Sequence, residues 1–221
     1  MAGVMSSERH SGFAAVHWRS NRSCQFPGRN YYFAMNLHRF IWILALTATT
    51  TLVSQLSAQT NVVTPAMVEE IRGKAEKGEA EAQDRLGYFY ARGVVGKDYT
   101  EAAKWYRKAA EQGLAAGQYH LGDCYAKGKG VTGDPVEALK WYRKAADQGY
   151  APAQYILGSW YSTGQSVSKD LVEAHKWLGL ASQQGDESAK RILSELEKEM
   201  SPEQISAGLQ RASSFKPAKS K

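Results

Sequence analysis

The chain repeats itself. Leu86-Gly87, Leu121-Gly122 and Leu157-Gly158 recur at spacings of 35 and 36 residues, and Trp105, Trp141 and Trp177 at 36 and 36. The pairs Gln112-Gly113, Gln148-Gly149 and Gln184-Gly185 keep the same step. So do Ala102, Ala138 and Ala174, and the valines Val95, Val131 and Val167. A fixed period of this length marks a stack of supersecondary units, each too small to bury its apolar face alone and each completed by its neighbour. One residue fewer between Gly93 and Asp98 accounts for the single spacing of 35.

Each unit reads as two helices. In the first, Ala82, Leu86 and Tyr90 lie four apart and form an apolar stripe. Gly93 ends it, because glycine alone enters the left-handed conformation without steric cost. The second helix opens at Asp98, Asp134 or Asp170, each with a glutamate three residues on, as in a capping box. Pro135 falls at a first helical position, where its missing N–H costs nothing. Ala102, Trp105 and Ala109 then line the expected buried face, and Gly113, Gly149 and Gly185 close the three second helices. Gly87 and Ala102 leave room for close approach of the paired helices, with Trp105 filling the gap beside them.

The spacing divides the chain into a capping helix at 64–78, repeats at 79–113, 114–149 and 150–185, and C-terminal capping helices at 186–212. Thr64-Pro65 opens the first cap through Val68, Ile71 and Ala75. Ser201-Pro202-Glu203-Gln204 opens the last helix, through Ile205 and Leu209, with a serine cap, a proline at the first position and a glutamine three on. Residues 213–221 read as a disordered basic tail. The fold class expected is all-α, a solenoid of stacked helix pairs.

The pattern Ala-x3-Leu-Gly-x2-Tyr-x2-Gly, then Val-x2-Asp-x3-Ala-x2-Trp-x3-Ala-Ala-x-Gln-Gly, resembles the Sel1-like repeat, a relative of the tetratricopeptide repeat. It is matched at 82–113, 117–149 and 153–185, with Gly117 in place of the first alanine and Ser182 in place of the last. The resemblance implies a right-handed superhelix of antiparallel helix pairs, and a role as an adaptor or scaffold in protein complexes, often exported in bacteria. One branch of that family is cysteine-rich, with a disulfide in each repeat and binding of β-lactams. The paired cysteines of that branch are missing here. A hydrolase acting on β-lactams or cell-wall material therefore stands as an alternative supported by analogy alone.

Charge and leader bear on location. The net charge is +6, but residues 59–221 hold 23 Lys/Arg against 21 Asp/Glu, whereas residues 1–58 hold five Arg against one acidic residue. A nearly balanced repeat region gives no reason to expect nucleic-acid binding. Met35-Asn36-Leu37-His38-Arg39 is a short basic start before an uncharged run from Phe40 to Val53, and Ala58 ends the polar stretch that follows. Residues 35–58 thus read as a signal peptide, too short in its apolar part for the roughly 20 residues of a membrane span. The expected location is secreted or periplasmic. Membrane contact is expected only if the leader stays uncleaved, which would make the chain a tethered structural protein of the envelope. Residues 1–34 fit no part of a signal peptide and read as a non-native, disordered extension from an early start codon. Once the leader is removed Cys124 stands without Cys24, so the fold must hold by packing and not by a disulfide.

No catalytic constellation, metal site or cofactor is expected. Gly128-Lys129-Gly130-Val131-Thr132-Gly133 spells the three-glycine dinucleotide pattern, yet it follows a helix and not a strand, and reads as a turn. His120 and His175 fall on different helix types and read as exposed or half-buried residues without partners. Cys124 shares its position with Phe89 and Trp160 and reads as a small packing residue. Lys104, Arg107 and Lys108 recur as Lys140, Arg143 and Lys144, and read as a solvated outer face. The candidate binding residues lie on the first helices, away from the Ala-Leu-Tyr stripe: Asp84, Tyr88 and Arg92; Tyr119, Asp123 and Lys127; Tyr155, Ser159 and Thr163. In the related tetratricopeptide fold these positions line the concave surface. Tyrosines among mixed charges suit recognition of a protein or peptide segment, and the chain is expected to bind it as a monomer.

Overall fold

The computed structural model describes residues 63–218; the reading of residues 1–34 as an extension and of 35–58 as a signal peptide lies outside the described residues. Among them are nine helices and no strand: α1 (Pro65–Glu76), α2 (Ala80–Arg92), α3 (Tyr99–Glu111), α4 (Ala115–Lys127), α5 (Pro135–Asp147), α6 (Ala151–Thr163), α7 (Leu171–Gln183), α8 (Glu187–Glu197) and α9 (Pro202–Ser213). The pairs α2/α3, α4/α5 and α6/α7 form the three repeats. Each second helix packs in turn on the next first helix, giving a right-handed α-solenoid.

Local chemistry sets the helix ends. Asp98, Asp134 and Asp170 each accept hydrogen bonds from the second and third amides of α3, α5 and α7, satisfying donors that have no partner inside the helix. The glutamate three residues on does not reach back to complete a capping box. Glu101 and Glu137 instead take the ammonium groups of Lys104 and Lys140, each at 2.5 Å. A reciprocal box forms only at Ser201 with Gln204, among the described residues. Gly93, Gly128 and Gly164 sit left-handed after the first helices, at φ of 80°, 62° and 76°.

The buried faces differ from the expected ones by one residue. Tyr106 and Tyr142 are buried, whereas Trp105 and Trp141 are only partly so. Within each pair the repeat glycine lies tight against the residue after the tryptophan. A Cβ on Gly87 would lie 2.8 Å from the Tyr106 ring, one on Gly122 2.9 Å from Tyr142, and one on Gly158 2.6 Å from Leu178. Trp105 and Trp141 lie at the outer rim, each under an ammonium 3.9 Å from the ring centroid, Lys108 and Lys144 respectively. The basic row on the second helices is thus largely engaged: lysines cover indoles, and Arg107 donates to the Tyr125 hydroxyl at 2.7 Å.

Between repeats runs a glutamine ladder. Gln83, Gln118 and Gln154 are buried, and their Nε2 groups donate to Ala75, Ala110 and Ala146 carbonyls at 3.1, 3.3 and 3.1 Å. Their Oε1 atoms accept from Gln112, Gln148 and Gln184 at 2.7, 2.8 and 2.8 Å. Each rung ties three consecutive helices with its polar atoms satisfied, as burial requires.

The C-terminal end breaks the pattern. A second helix normally packs on its own first helix, but α9 packs on α7. Gly208 sits against the His175 ring and Arg211 binds Glu173 at 2.7 Å, while Leu209 is 55% exposed. His175, read as exposed or half-buried, is 1% exposed and its Nε2 pairs with Glu197 at 3.0 Å. The segment read as a disordered tail is ordered as far as it is described. Ser213 ends α9, and residues 215–218 turn back over the repeat: Phe215 meets Trp177 edge-on, with centroids 5.7 Å apart, and the Ala218 amide donates to the Asp147 carbonyl at 2.7 Å. Trp177 is thereby sealed at 0% exposure.

Candidate functional site

Consecutive first helices α2 and α4 touch directly, and between them opens a cleft of about 380 Å³. Five of the nine residues singled out in the sequence line it: Tyr88, Arg92, Tyr119, Asp123 and Lys127. They meet there because positions two before, two after and six after each repeat leucine share one helix face. Tyr88 is exposed, with the Arg92 guanidinium 5.3 Å from its ring centroid. Tyr119 packs edge-on and tilted against His120, Tyr142 and Tyr150, and burial pushes its hydroxyl up to about 12, so it stays a neutral donor.

The carboxylates of the site are already engaged. Asp123 accepts the Tyr142 hydroxyl at 2.6 Å through one oxygen and pairs with Lys127 through the other. Asp84 lies beside the cleft and holds His120 Nδ1 at 2.7 Å. His120 also stacks on Tyr106 at 4.8 Å, so it bridges two repeats and lines the cleft. Sequence reasoning gave it no partner: Asp84 stands 36 residues before it, one more than the 35-residue step between these two first helices. Tyr99 and Lys129 were also missed. Tyr99 opens α3 and Lys129 belongs to the segment after α4; Lys129 reaches back to 5.2 Å from the Tyr99 ring because Gly130 presses on the start of α3. The three-glycine stretch is therefore a turn that brings a cation to the cleft.

Tyr155, Ser159 and Thr163 stand apart. Tyr155 packs on the core shared by α7 and α8, and the Thr163 hydroxyl donates to the Ser159 carbonyl at 2.9 Å. Cys124 lines the floor of the cleft, but burial pushes its thiol up to about 11, which leaves it protonated and a poor nucleophile at neutral pH. Among the described residues no group of three or more His, Cys, Asp or Glu stands close enough to hold a metal ion, and no helix is long and apolar enough to cross a membrane.

A stack of helix hairpins carrying an aromatic, cationic cleft on its first helices defines a repeat scaffold. The family model described as the Sel1 repeat matches residues 80–114, 115–150 and 151–186. A solved Sel1 repeat protein from Oxalobacter formigenes is 39% identical, with a TM-score of 0.53, over 57% of this chain and 96% of that one. The chain belongs to the Sel1 repeat family. A protective antigen of uropathogenic Escherichia coli with an SLR fold is similar at 34% identity and a TM-score of 0.63, covering 67% of this chain and 32% of that one. The ERAD-associated E3 ubiquitin-protein ligase component HRD3A of Arabidopsis thaliana is 39% identical over 59 residues, 26% of this chain. The chain spans only 9% of that relative's length. Sel1 repeats typically mediate protein–protein interaction, and their fold is generally non-enzymatic.

Proposed function

We propose that this chain is an exported monomeric scaffold, without catalysis of its own, that holds an acidic segment of a partner protein in the cleft between α2 and α4. One observation carries the reading. The cleft gathers Arg92, Lys127 and Lys129 with the rings of Tyr88 and Tyr99, while Asp123, the carboxylate among its lining residues, is bound by Tyr142 and Lys127. A carboxylate arriving there finds cationic and phenolic donors and an aromatic surface, the combination that concentrates binding energy at interfaces. Export rests on the basic start and apolar run of residues 35–58.

The test is affinity capture from the envelope fraction with the full chain and with a double variant, Arg92→Glu with Lys129→Glu. The proposal expects a protein retained by the first and lost by the second, and an acidic peptide from it whose binding to the chain weakens steeply with salt. Equal capture by both proteins discards the cleft. Mass spectrometry of the mature N-terminus checks export: a start near Gln59 is expected, and a cytoplasmic protein retaining residues 35–58 counts against it.

A further inference from the structure

The segment Phe215–Ala218 shows what the outer rim of the repeats can hold. Its seat has three parts. Phe215 packs edge-on against Trp177, at an interplanar angle of 73°; the Pro217 ring lies 3.6 Å from where a Cβ on Gly149 would stand; and the Ala218 amide donates to the Asp147 carbonyl, the last of α5. That carbonyl has no amide partner inside the helix, so an extended chain crossing the helix end satisfies it. The Lys176 ammonium covers the same indole, 4.0 Å from its centroid.

One repeat earlier, 36 residues back, the three parts recur as Trp141, Gly113 and Glu111. Each indole also carries an ammonium, although from different helix positions: Lys144, three residues on, over Trp141, and Lys176, the preceding residue, over Trp177. Gly113 is left-handed at φ 93°, as Gly149 is at 87°. Among the described residues no amide donates to the Glu111 carbonyl at the end of α3. These three residues line one cleft of about 550 Å³, and Ala218 lies at its edge, where the first seat ends and the second begins.

We infer that the Trp141–Gly113–Glu111 cleft is a second docking site, on a different surface from the α2/α4 cleft, and that it takes an extended segment of a partner protein carrying an aromatic residue followed two positions later by proline. The occupant's chemistry is read from the neighbouring seat. An aromatic edge fits the half-buried indole, a proline ring packs over the left-handed glycine, and the next amide reaches the helix-terminal carbonyl. Proline also lowers the entropy lost when the segment is held extended.

The probe is a fluorescein-labelled peptide of residues 213–218 added to the full unlabelled chain and followed by anisotropy. Binding is expected, with the Trp141 indole N–H resonance shifting on addition. Binding should weaken at least tenfold for Trp141→Ala or for a peptide with alanine in place of its phenylalanine, and stay unchanged for Tyr88→Ala in the α2/α4 cleft. The indole shift in the unaltered protein keeps the test valid if Trp141→Ala folds poorly. Three results would overturn the inference: no binding at millimolar peptide, binding only after Phe215→Ala has opened the chain's own seat at Trp177, or a concentration-dependent dimer lost on Phe215→Ala. The last would assign the seat to the tail of a second copy.

Discussion

Repeats 2 and 3 carry one signature, 36 residues apart, but do different things with its largest residue. In repeat 2, Trp141 is a rim residue, half-buried against the core beneath it, with a lysine over its ring and an open cleft beside it. In repeat 3, Trp177 is a fully buried core residue, with Phe215 closed over it. The helices themselves barely differ. What differs is the segment that follows: α5 is succeeded by another repeat, whereas α7 receives a helix that folds back on it. The comparison teaches that the repeat motif specifies a helix pair and leaves its outer rim to be finished by whatever lies against it. In the middle of a solenoid that is solvent or a partner; at the end it is the cap.

The comparison breaks most visibly if the two tryptophans respond alike to truncation. Trp177→Ala should cost about 3–5 kcal/mol, since a fully buried ring leaves a cavity behind. Trp141→Ala should cost about 1–2 kcal/mol, in proportion to the smaller area it withdraws from water. Urea unfolding followed by helical circular dichroism measures both. Equal losses would mean that the rim of repeat 2 is as closed as that of repeat 3.

The next largest effect concerns the first-helix position held by Ala153 in repeat 3 and Gly117 in repeat 2. An exposed glycine-to-alanine change inside a helix gains up to about 1 kcal/mol. Here the sign reverses. A Cβ on Gly117 would lie 2.7 Å from the Ala109 Cβ and 3.0 Å from the Ala110 amide, so α3 and α4 meet more closely than alanine allows. Gly117→Ala should therefore destabilise by about 1–2 kcal/mol, within the usual range for overpacking. Stabilisation in the same unfolding assay would show that the junction has slack.

These contrasts mark what the sequence made legible. Period, helix pairing, the aspartate caps and the closing glycines are local signals, and each has a residue type that physical chemistry requires at that place. The identity of the buried ring was misread because Trp105 and Tyr106 are adjacent, about 100° apart around the helix, and both are apolar enough for the inner face. Only contact with Gly87 decides between them. The glutamine ladder was legible in principle, since Gln83, Gln118 and Gln154 keep the repeat step, but polar residues at that step read as surface until their partners are known. Five of the cleft's twelve lining residues followed from helix periodicity. His120, Tyr99 and Lys129 did not, because they reach it through inter-repeat contacts and a turn. The return of α9 onto α7 had no sequence signal apart from Gly208, whose missing side chain admits the His175 ring.

The smallest expected effect separates the two connecting turns. Gly130 in repeat 2 and Ser166 in repeat 3 hold the same place and the same left-handed backbone, φ 75° and 62°. Glycine is obligatory in the first, where a Cβ would fall 1.9 Å from the Tyr99 carbonyl oxygen. In the second the side chain is exposed, so serine is tolerated sterically and pays only for its backbone, about 1–2 kcal/mol. Ser166→Gly relieves that strain but loosens the unfolded chain, which returns about 0.4–1 kcal/mol. The net gain should be about 0.5 kcal/mol, seen as a rise of about 1–2 °C in the thermal midpoint of a domain this size. A fall in that midpoint would mean that the Ser166 hydroxyl holds the turn through a bond worth more than the strain, and that the two turns differ in chemistry as well as in crowding.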